Sequence, residues 1–210
     1  MEPTGWRSTL EPSKSWRPAM MAAILAGGAS RRFGGGEKGL AQFKGKPMVA
    51  WALDAVHGVG SVVIIANRPE LYTGFGHPVY SDSVKGMGPL SGLHAAFHHT
   101  GADQIFLLAC DMPQASSAMV EFVLSIAKKT SGDAVIPYAD GREQGLFAVY
   151  RKSAIDRHRD AIHSASIQFD QFRNSINKTL IPEEELRQVE PGLESFVNVN
   201  SKMDLTRLEK

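Results

Sequence analysis

Short runs that are apolar from end to end restrict the fold of this chain more than any other feature. After their first residue, SVVIIA at 61–66 and QIFLLA at 104–109 contain no polar side chain. A strand turns successive side chains to opposite faces, so a run without alternation must be covered on both sides. Further candidate strands lie at 21–26, 78–80, 133–137 and 145–150, and candidate helices at 47–57, 89–99, 116–129 and 151–163. Strands alternating with helices predict an α/β class with a mostly parallel sheet between two helical layers. Pro47 suits the first turn of its helix, where the missing N–H is no loss. Near the C-terminus, Ser201 with Asp204 three residues on has the pattern of a helix cap.

The 210 residues suit one domain, expected over 21–210. Residues 1–20 carry three prolines and no periodicity, the composition of a disordered or loosely docked extension. With 23 basic and 22 acidic residues the net charge is +1, which argues against a general nucleic-acid or membrane-surface binder. Any basic site must therefore be local. The single cysteine, Cys110, cannot form an internal disulfide and suits a reducing compartment. No apolar run approaches the ~18 residues of a membrane span, and the first twenty residues lack the apolar core of a secretion signal. A cytoplasmic protein is the expectation.

In parallel sheets ligands bind beyond the carboxyl ends of the strands. Directly after the first candidate strand comes LAGGASRRFGGGEKG, residues 25–39, rich in glycine and carrying Arg31, Arg32 and Lys38. Glycine at this density disfavours regular structure and lets a ligand approach the main chain. A Walker A loop does not fit, because Gly45-Lys46-Pro47 lacks both the hydroxyl and the earlier glycine. Gly34, Gly36 and Gly39 match a dinucleotide fingerprint, but eight residues beyond the strand and with no helix opening before about Pro47. Taken whole, the segment suits nucleotide phosphates, which are held by backbone N–H groups and cationic side chains. The plainer alternative is a glycine-rich surface turn with solvated arginines. Asp111, at the end of LLACDMP, is likewise either a Mg²⁺ ligand on the active edge or a turn-initiating residue before Met-Pro.

The pattern L-A-G-G-x-S-x-R-x-G-G-x-x-K-G-L, followed by Gly45-Lys46-Pro47, resembles the signature loop of the molybdenum cofactor guanylyltransferases, the molybdopterin-guanine dinucleotide biosynthesis protein A family. The similarity continues through Asn67-Arg68, Asp82-Ser83, Gly88-Pro89-Leu90, Cys110-Asp111-Met112-Pro113 and Asn198-Val199-Asn200, covering about residues 21–208. It implies a three-layer α/β/α, Rossmann-like nucleotidyltransferase fold. It also implies Mg²⁺-dependent transfer of GMP from GTP to the terminal phosphate of molybdenum-bearing molybdopterin, with release of pyrophosphate.

On this resemblance Lys38 and Arg32 neutralise the triphosphate and Asp111 holds the metal. Leu25, Ala26, Gly27, Gly28, Lys38, Asn67, Asp82 and Asp111 contact the nucleotide. Asn198 and Asn200, alternating in VNVN, would share one side of a strand, there to bind the acceptor or to orient metal-bound water, the plainer alternative being an Asn pair that closes a strand before a helix. GTP rather than CTP follows from A-G-G at 26–28, where cytidine-using relatives tend to carry A-A-G. Molybdenum-insertion proteins or apo-molybdoenzymes would be partners, with neither nucleic acid nor membrane involved. The alternatives are cytidylyl transfer to the pterin, a sugar-phosphate acceptor, or a non-catalytic GTP-binding partner in cofactor insertion.

Three positions depart from the family pattern. Ile65 stands where an asparagine is common, Gly145 precedes Leu146 where many members have proline, and residues 163–168 replace a basic turn. The last two fall where the pterin is expected. His94 and His98, four apart, have a metal-compatible spacing but no intervening glutamate, and read as a partly exposed helix face. Met112 and Met119 read as core or edge residues, and Phe169 and Phe172 as core.

Overall fold

A computed structural model of the chain describes residues 18–27, 37–81, 84 and 86–208. Gly28, Arg31, Arg32, Asp82 and nearly all of the N-terminal extension lie outside the described residues. From the N-terminus, β1 (Met20–Leu25) precedes a small hairpin of β2 (Gln42–Phe43) and β3 (Lys46–Pro47), then α1 (Met48–Ala55), β4 (Ser61–Ile65) and β5 (Val79–Tyr80). Next come α2 (Pro89–Thr100), β6 (Gln104–Ala109), α3 (Ser117–Lys129) and β7 (Ala134–Ala139). The last third holds β8 (Arg142–Glu143), β9 (Phe147–Arg151), α4 (Lys152–Arg157), α5 (Arg159–His163), α6 (Phe169–Ser175), β10 (Lys178–Ile181), α7 (Glu183–Val189) and α8 (Lys202–Leu208).

The main sheet has the order β10-β7-β9-β6-β1-β4-β5, with β8 paired to β7. β1 is parallel to both β4 and β6, β4 to β5, and β7 to β10, whereas β9 runs antiparallel to β6 and β7. Both faces are covered, as the uninterrupted apolar runs require. Ala22, Ile24, Ile64, Phe106 and Leu108 face α1, α3 and α7, while Ala23, Leu25, Ile65, Ile105 and Leu107 face α2, α4, α5 and α6. The three-layer α/β/α arrangement expected from the sequence is what the chain adopts.

Local chemistry sets the element ends. α2 opens with Pro89 and closes at Gly101, whose φ of +63° is left-handed and whose N–H donates to Phe97 O at 2.9 Å. α3 is capped by the Ser116 hydroxyl, which accepts from Met119 N at 3.2 Å. The cap at Ser201 forms too: its Oγ accepts from Asp204 N at 3.2 Å, and Asp204 Oδ2 accepts from Asn200 N at 2.8 Å.

Two expectations are corrected. The helix anticipated over 151–163 divides at His158, whose ring takes the Ala154 carbonyl at 2.8 Å and whose backbone N–H bonds three residues back to Ile155. VNVN at 197–200 forms no strand, although Val199 N donates to Asp111 O at 2.8 Å. The helix face of His94 and His98 is partly exposed as expected, with His94 buried at 9% exposure and His98 exposed. β6 spans the expected 104–109 and leaves Asp111 in the turn beyond it. Phe169, Phe172, Met112 and Met119 are all buried.

Two packing clusters deliver the C-terminal segment to the sheet edge. Phe106, Phe147 and Phe196 stack edge to face with ring centres 5.2 and 5.1 Å apart, each pair worth about 0.5–1.5 kcal/mol beyond its buried area. Phe43 and Met48, from the β2–β3 hairpin region, pack with Val199 and Leu205. Residues 197–200 are thereby held between the hairpin and Asp111.

Candidate active site

The order of the sheet dictates where a cavity can open. From β1 the chain proceeds to β4 and β5 on one side, then returns to β6 on the other, so the helical connections diverge above the carboxyl end of β1. A cavity of about 730 Å³ lies there, within the ordinary range for a ligand site. Its wall includes Leu25 at the end of β1, Gly27 beyond it, Asn67 after β4, Gly88 before α2, and Asp111 after β6.

Lys38 stands at the start of a single 3-10 turn, Lys38–Leu40. Its Nζ lies 2.6 Å from Asp111 Oδ2, and both side chains are only 19% exposed. The same amine donates to Asn200 Oδ1 at 3.4 Å. Seventy-three positions separate Lys38 from Asp111, and the topology closes that gap. On the other carboxylate oxygen, the Asn198 amide satisfies two neighbours when oriented with Nδ2 3.2 Å from Asp111 Oδ1 and Oδ1 3.2 Å from Arg142 Nη2. Asp111 is thus flanked by Lys38 and Asn198.

A second layer sets the position of Lys38. Tyr72 is fully buried, and the single proton of its hydroxyl is shared between two acceptors, the Ala26 carbonyl at 3.2 Å and Glu37 Oε2 at 3.4 Å. Burial, with the Cys110 sulfur and the Glu37 carboxylate nearby, pushes the Tyr72 hydroxyl far above its usual range, so it remains a donor. Gly39 packs against that hydroxyl: a Cβ there would sit 2.8 Å from the oxygen. Burial first, then the adjacent Asp111 charge, pushes the Cys110 thiol up to about 12. It stays protonated near neutrality, the wrong state for a nucleophile.

Gly27 allows Asn67 to approach, since a Cβ on Gly27 would lie 3.2 Å from the Asn67 Oδ1. Asn67 lines the cavity together with Ile65. Leu25, Gly27, Lys38, Asn67 and Asp111 all line it; Ala26 contributes its carbonyl to Tyr72 just behind.

A second cavity of about 410 Å³ adjoins the first across Gly88, Pro89 and Leu146. Asn198 lines it, whereas Asn200 turns to Lys38. Here the departure at Gly145 has a physical reason. A Cβ on Gly145 would be 2.7 Å from Arg173 Cδ, so glycine makes room for that side chain. Arg173 bonds Glu143 at 2.5 Å and Asp170 at 2.6 Å, and Lys178 holds the other Glu143 oxygen at 2.5 Å.

Tyr72, Glu37 and Arg142 were not singled out by sequence reasoning. Tyr72 lies in a stretch of 3-10 turns with no hydrophobic period, and its partner Ala26 is 46 positions away. No local signal marks such a residue.

The donor set can be compared with the Mg²⁺ that the family resemblance implies. No group of three His, Cys, Asp or Glu side chains is arranged around a metal site among the described residues. Asp111 offers one carboxylate beside the Asn198 amide. Mg²⁺ is commonly held by one or two carboxylates with water and substrate phosphates completing its shell, so the residues fit a metal that arrives with a nucleotide. Among the described residues no helix is long and apolar enough to cross a membrane.

Residues 22–175 match the MobA-like NTP transferase domain family. The chain is 32% identical over 192 residues to a molybdenum cofactor guanylyltransferase of Desulfosudis oleivorans, covering 91% of this chain and 95% of that relative. A probable molybdenum cofactor guanylyltransferase of Bacillus subtilis is 33% identical over 195 residues, covering 89% and 93%. Among solved structures, molybdopterin-guanine dinucleotide biosynthesis protein A from Archaeoglobus fulgidus superposes with a TM-score of 0.79 at 30% identity, over 90% of this chain and 97% of that one. By the glycine-rich loop, the Lys38–Asp111 site and similarity along nearly its whole length, the chain belongs to the molybdenum cofactor guanylyltransferase family of MobA-like NTP transferases.

Proposed function

We propose that this protein transfers GMP from GTP to the terminal phosphate of molybdenum-bearing molybdopterin, forming molybdopterin guanine dinucleotide and releasing pyrophosphate. The observation that supports it most directly is the Lys38–Asp111 contact at the carboxyl edge of the sheet, with a second cavity adjoining the first. An acceptor phosphate oxygen forms a bond to the α-phosphorus of GTP. The bond from that phosphorus to the bridging oxygen of the β-phosphate breaks, and pyrophosphate leaves with the electron pair. Charge builds on phosphate oxygens throughout, so positioned cations and dipoles carry most of the catalysis.

In this reading the Lys38 amine exchanges Asp111 for the incoming triphosphate, acting as a mobile point charge. Arg32 supplies the second cation, and Asp82 and Gly28 contact the nucleotide, as the family pattern implies. Leu25, Ala26 and Gly27 offer main chain to the base and ribose, with Asn67 beside them. Asp111, with Asn198 adjacent, would hold Mg²⁺. When bound, that ion supplies Lewis-acid neutralisation of the phosphates. Asn200 restrains Lys38, and Tyr72 fixes the turn that carries it.

Pyrophosphate release from Mg·GTP and Mg·CTP, each with and without molybdenum-bearing molybdopterin, tests the proposal. Release that requires the pterin and prefers GTP is the expected result. Bound GTP without pyrophosphate release in the presence of the pterin would overturn it. Asp111→Ala should abolish turnover while circular dichroism stays unchanged, and retained activity would remove Asp111 from the mechanism.

A further inference from the structure

We propose that Arg142, on the wall of the second cavity, is the residue that holds the acceptor's reacting phosphate. This rests on the guanylyl-transfer reading above. Two anionic phosphates must meet in that reaction, so a cation is needed on the acceptor side as well as on the nucleotide side. Lys38 lines the first cavity, next to Asp111. Two guanidinium groups, Arg142 and Arg173, line the second.

Their surroundings separate them. Arg173 is 15% exposed, bonded to both Glu143 and Asp170, and lies over the Phe169 ring at 5.3 Å. Its charge is balanced in place, and it serves the wall of the cavity. Arg142 is exposed at the start of the two-residue strand β8, and no carboxylate pairs with it among the described residues. Its Nη2 reaches Asn198 Oδ1, and the same amide reaches Asp111 Oδ1, each at 3.2 Å. One side chain therefore separates the guanidinium from the carboxylate at the reacting centre. A guanidinium carries five donors in a planar fork that matches phosphate oxygens two at a time. Anchored at one end by Asn198, Arg142 can present its other donors to a phosphate monoester entering from the second cavity. Asn198 acts as a positioning residue, setting the distance between that phosphate and Asp111.

The test uses full-length wild type, Arg142→Ala and Arg142→Lys, with direct titration of molybdopterin and of GTP beside steady-state kinetics. Arg142→Ala should weaken molybdopterin binding and raise its KM by about ten- to a hundredfold, the range for a charge-assisted hydrogen bond. The dissociation constant for GTP should stay within about twofold of wild type on the same reasoning. Arg142→Lys should recover part of the loss, since it keeps the charge and loses the fork. Unchanged molybdopterin affinity in Arg142→Ala, or equal losses for pterin and GTP, would overturn the assignment. A wild-type chain that makes no product, yet binds molybdopterin more tightly than Arg142→Ala does, would sink the transfer reading and leave the phosphate site standing.

Discussion

Gly39→Ala would place a methyl carbon 2.8 Å from the Tyr72 hydroxyl oxygen, 3.2 Å from its Cε1 and 3.3 Å from the Cys110 sulfur. Gly39 has no left-handed φ, so its backbone would accept alanine and gain about 0.4–1 kcal/mol through a less flexible unfolded chain. Overpacking opposes this by about 1–3 kcal/mol, because a fully buried Tyr72 has nowhere to move. The net expectation is a loss of about 1–2 kcal/mol, or several degrees in Tm for a chain of this length. Tyr72→Phe alone gives up one hydroxyl donor shared between acceptors at 3.2 and 3.4 Å, and should cost about 1 kcal/mol. In the combined variant the closest contact is gone, since the oxygen it involved has been deleted. Gly39→Ala should then be nearly neutral, giving a coupling of about 1 kcal/mol or more. Urea unfolding of the four proteins measures the cycle, and KM for GTP should follow the same pattern because Gly39 adjoins Lys38. Additivity within about 0.3–0.5 kcal/mol would refute the argument that the Tyr72 hydroxyl is what glycine accommodates.

Lys38→Ala removes the amine that sits on Asp111, and kcat/KM for GTP should fall about 100- to 1000-fold with unfolding midpoints little changed; a loss below tenfold would count against the triphosphate role. Burial first, then the charges of His163, His98 and His99, holds the His94 imidazole below its ordinary value of 6.5. The unfolded chain binds that proton more readily, so this contribution to stability is present above pH 6.5 and is lost as the pH falls below it. His94→Leu should reduce the acid-side loss and also removes a buried Nδ1 that has no hydrogen-bond partner. Urea midpoints at about pH 5.5 and 7.5 decide the matter, and identical slopes in both proteins would contradict it.

The sheet was legible because its signal is local. Runs such as QIFLLA reveal burial on both faces without knowledge of any neighbour, and the strands expected there form within a residue or two. β10 escaped notice because it is an edge strand with Leu180 exposed, so it lacks an apolar run. The break at His158 also escaped, since it depends on a ring bonding the Ala154 carbonyl and Ser175 from another helix. Reading VNVN as a strand put Asn198 and Asn200 on one side, whereas the segment forms no strand and the two divide between Asp111 and Lys38.

By itself the sequence determined the class of fold and pointed to the carboxyl edge of the sheet, because apolar period and glycine content are properties of short stretches; Lys38 and Asp111 stood out as candidates through the family resemblance of their motifs. Only the tertiary structure decided that Lys38 meets Asp111 at 2.6 Å, that Tyr72 fixes the turn beneath it, that Gly145 yields space to Arg173, and that Arg142 stands one amide away from Asp111. Each of those contacts joins residues distant in the chain. Their meeting depends on sheet order and register, which no local pattern encodes.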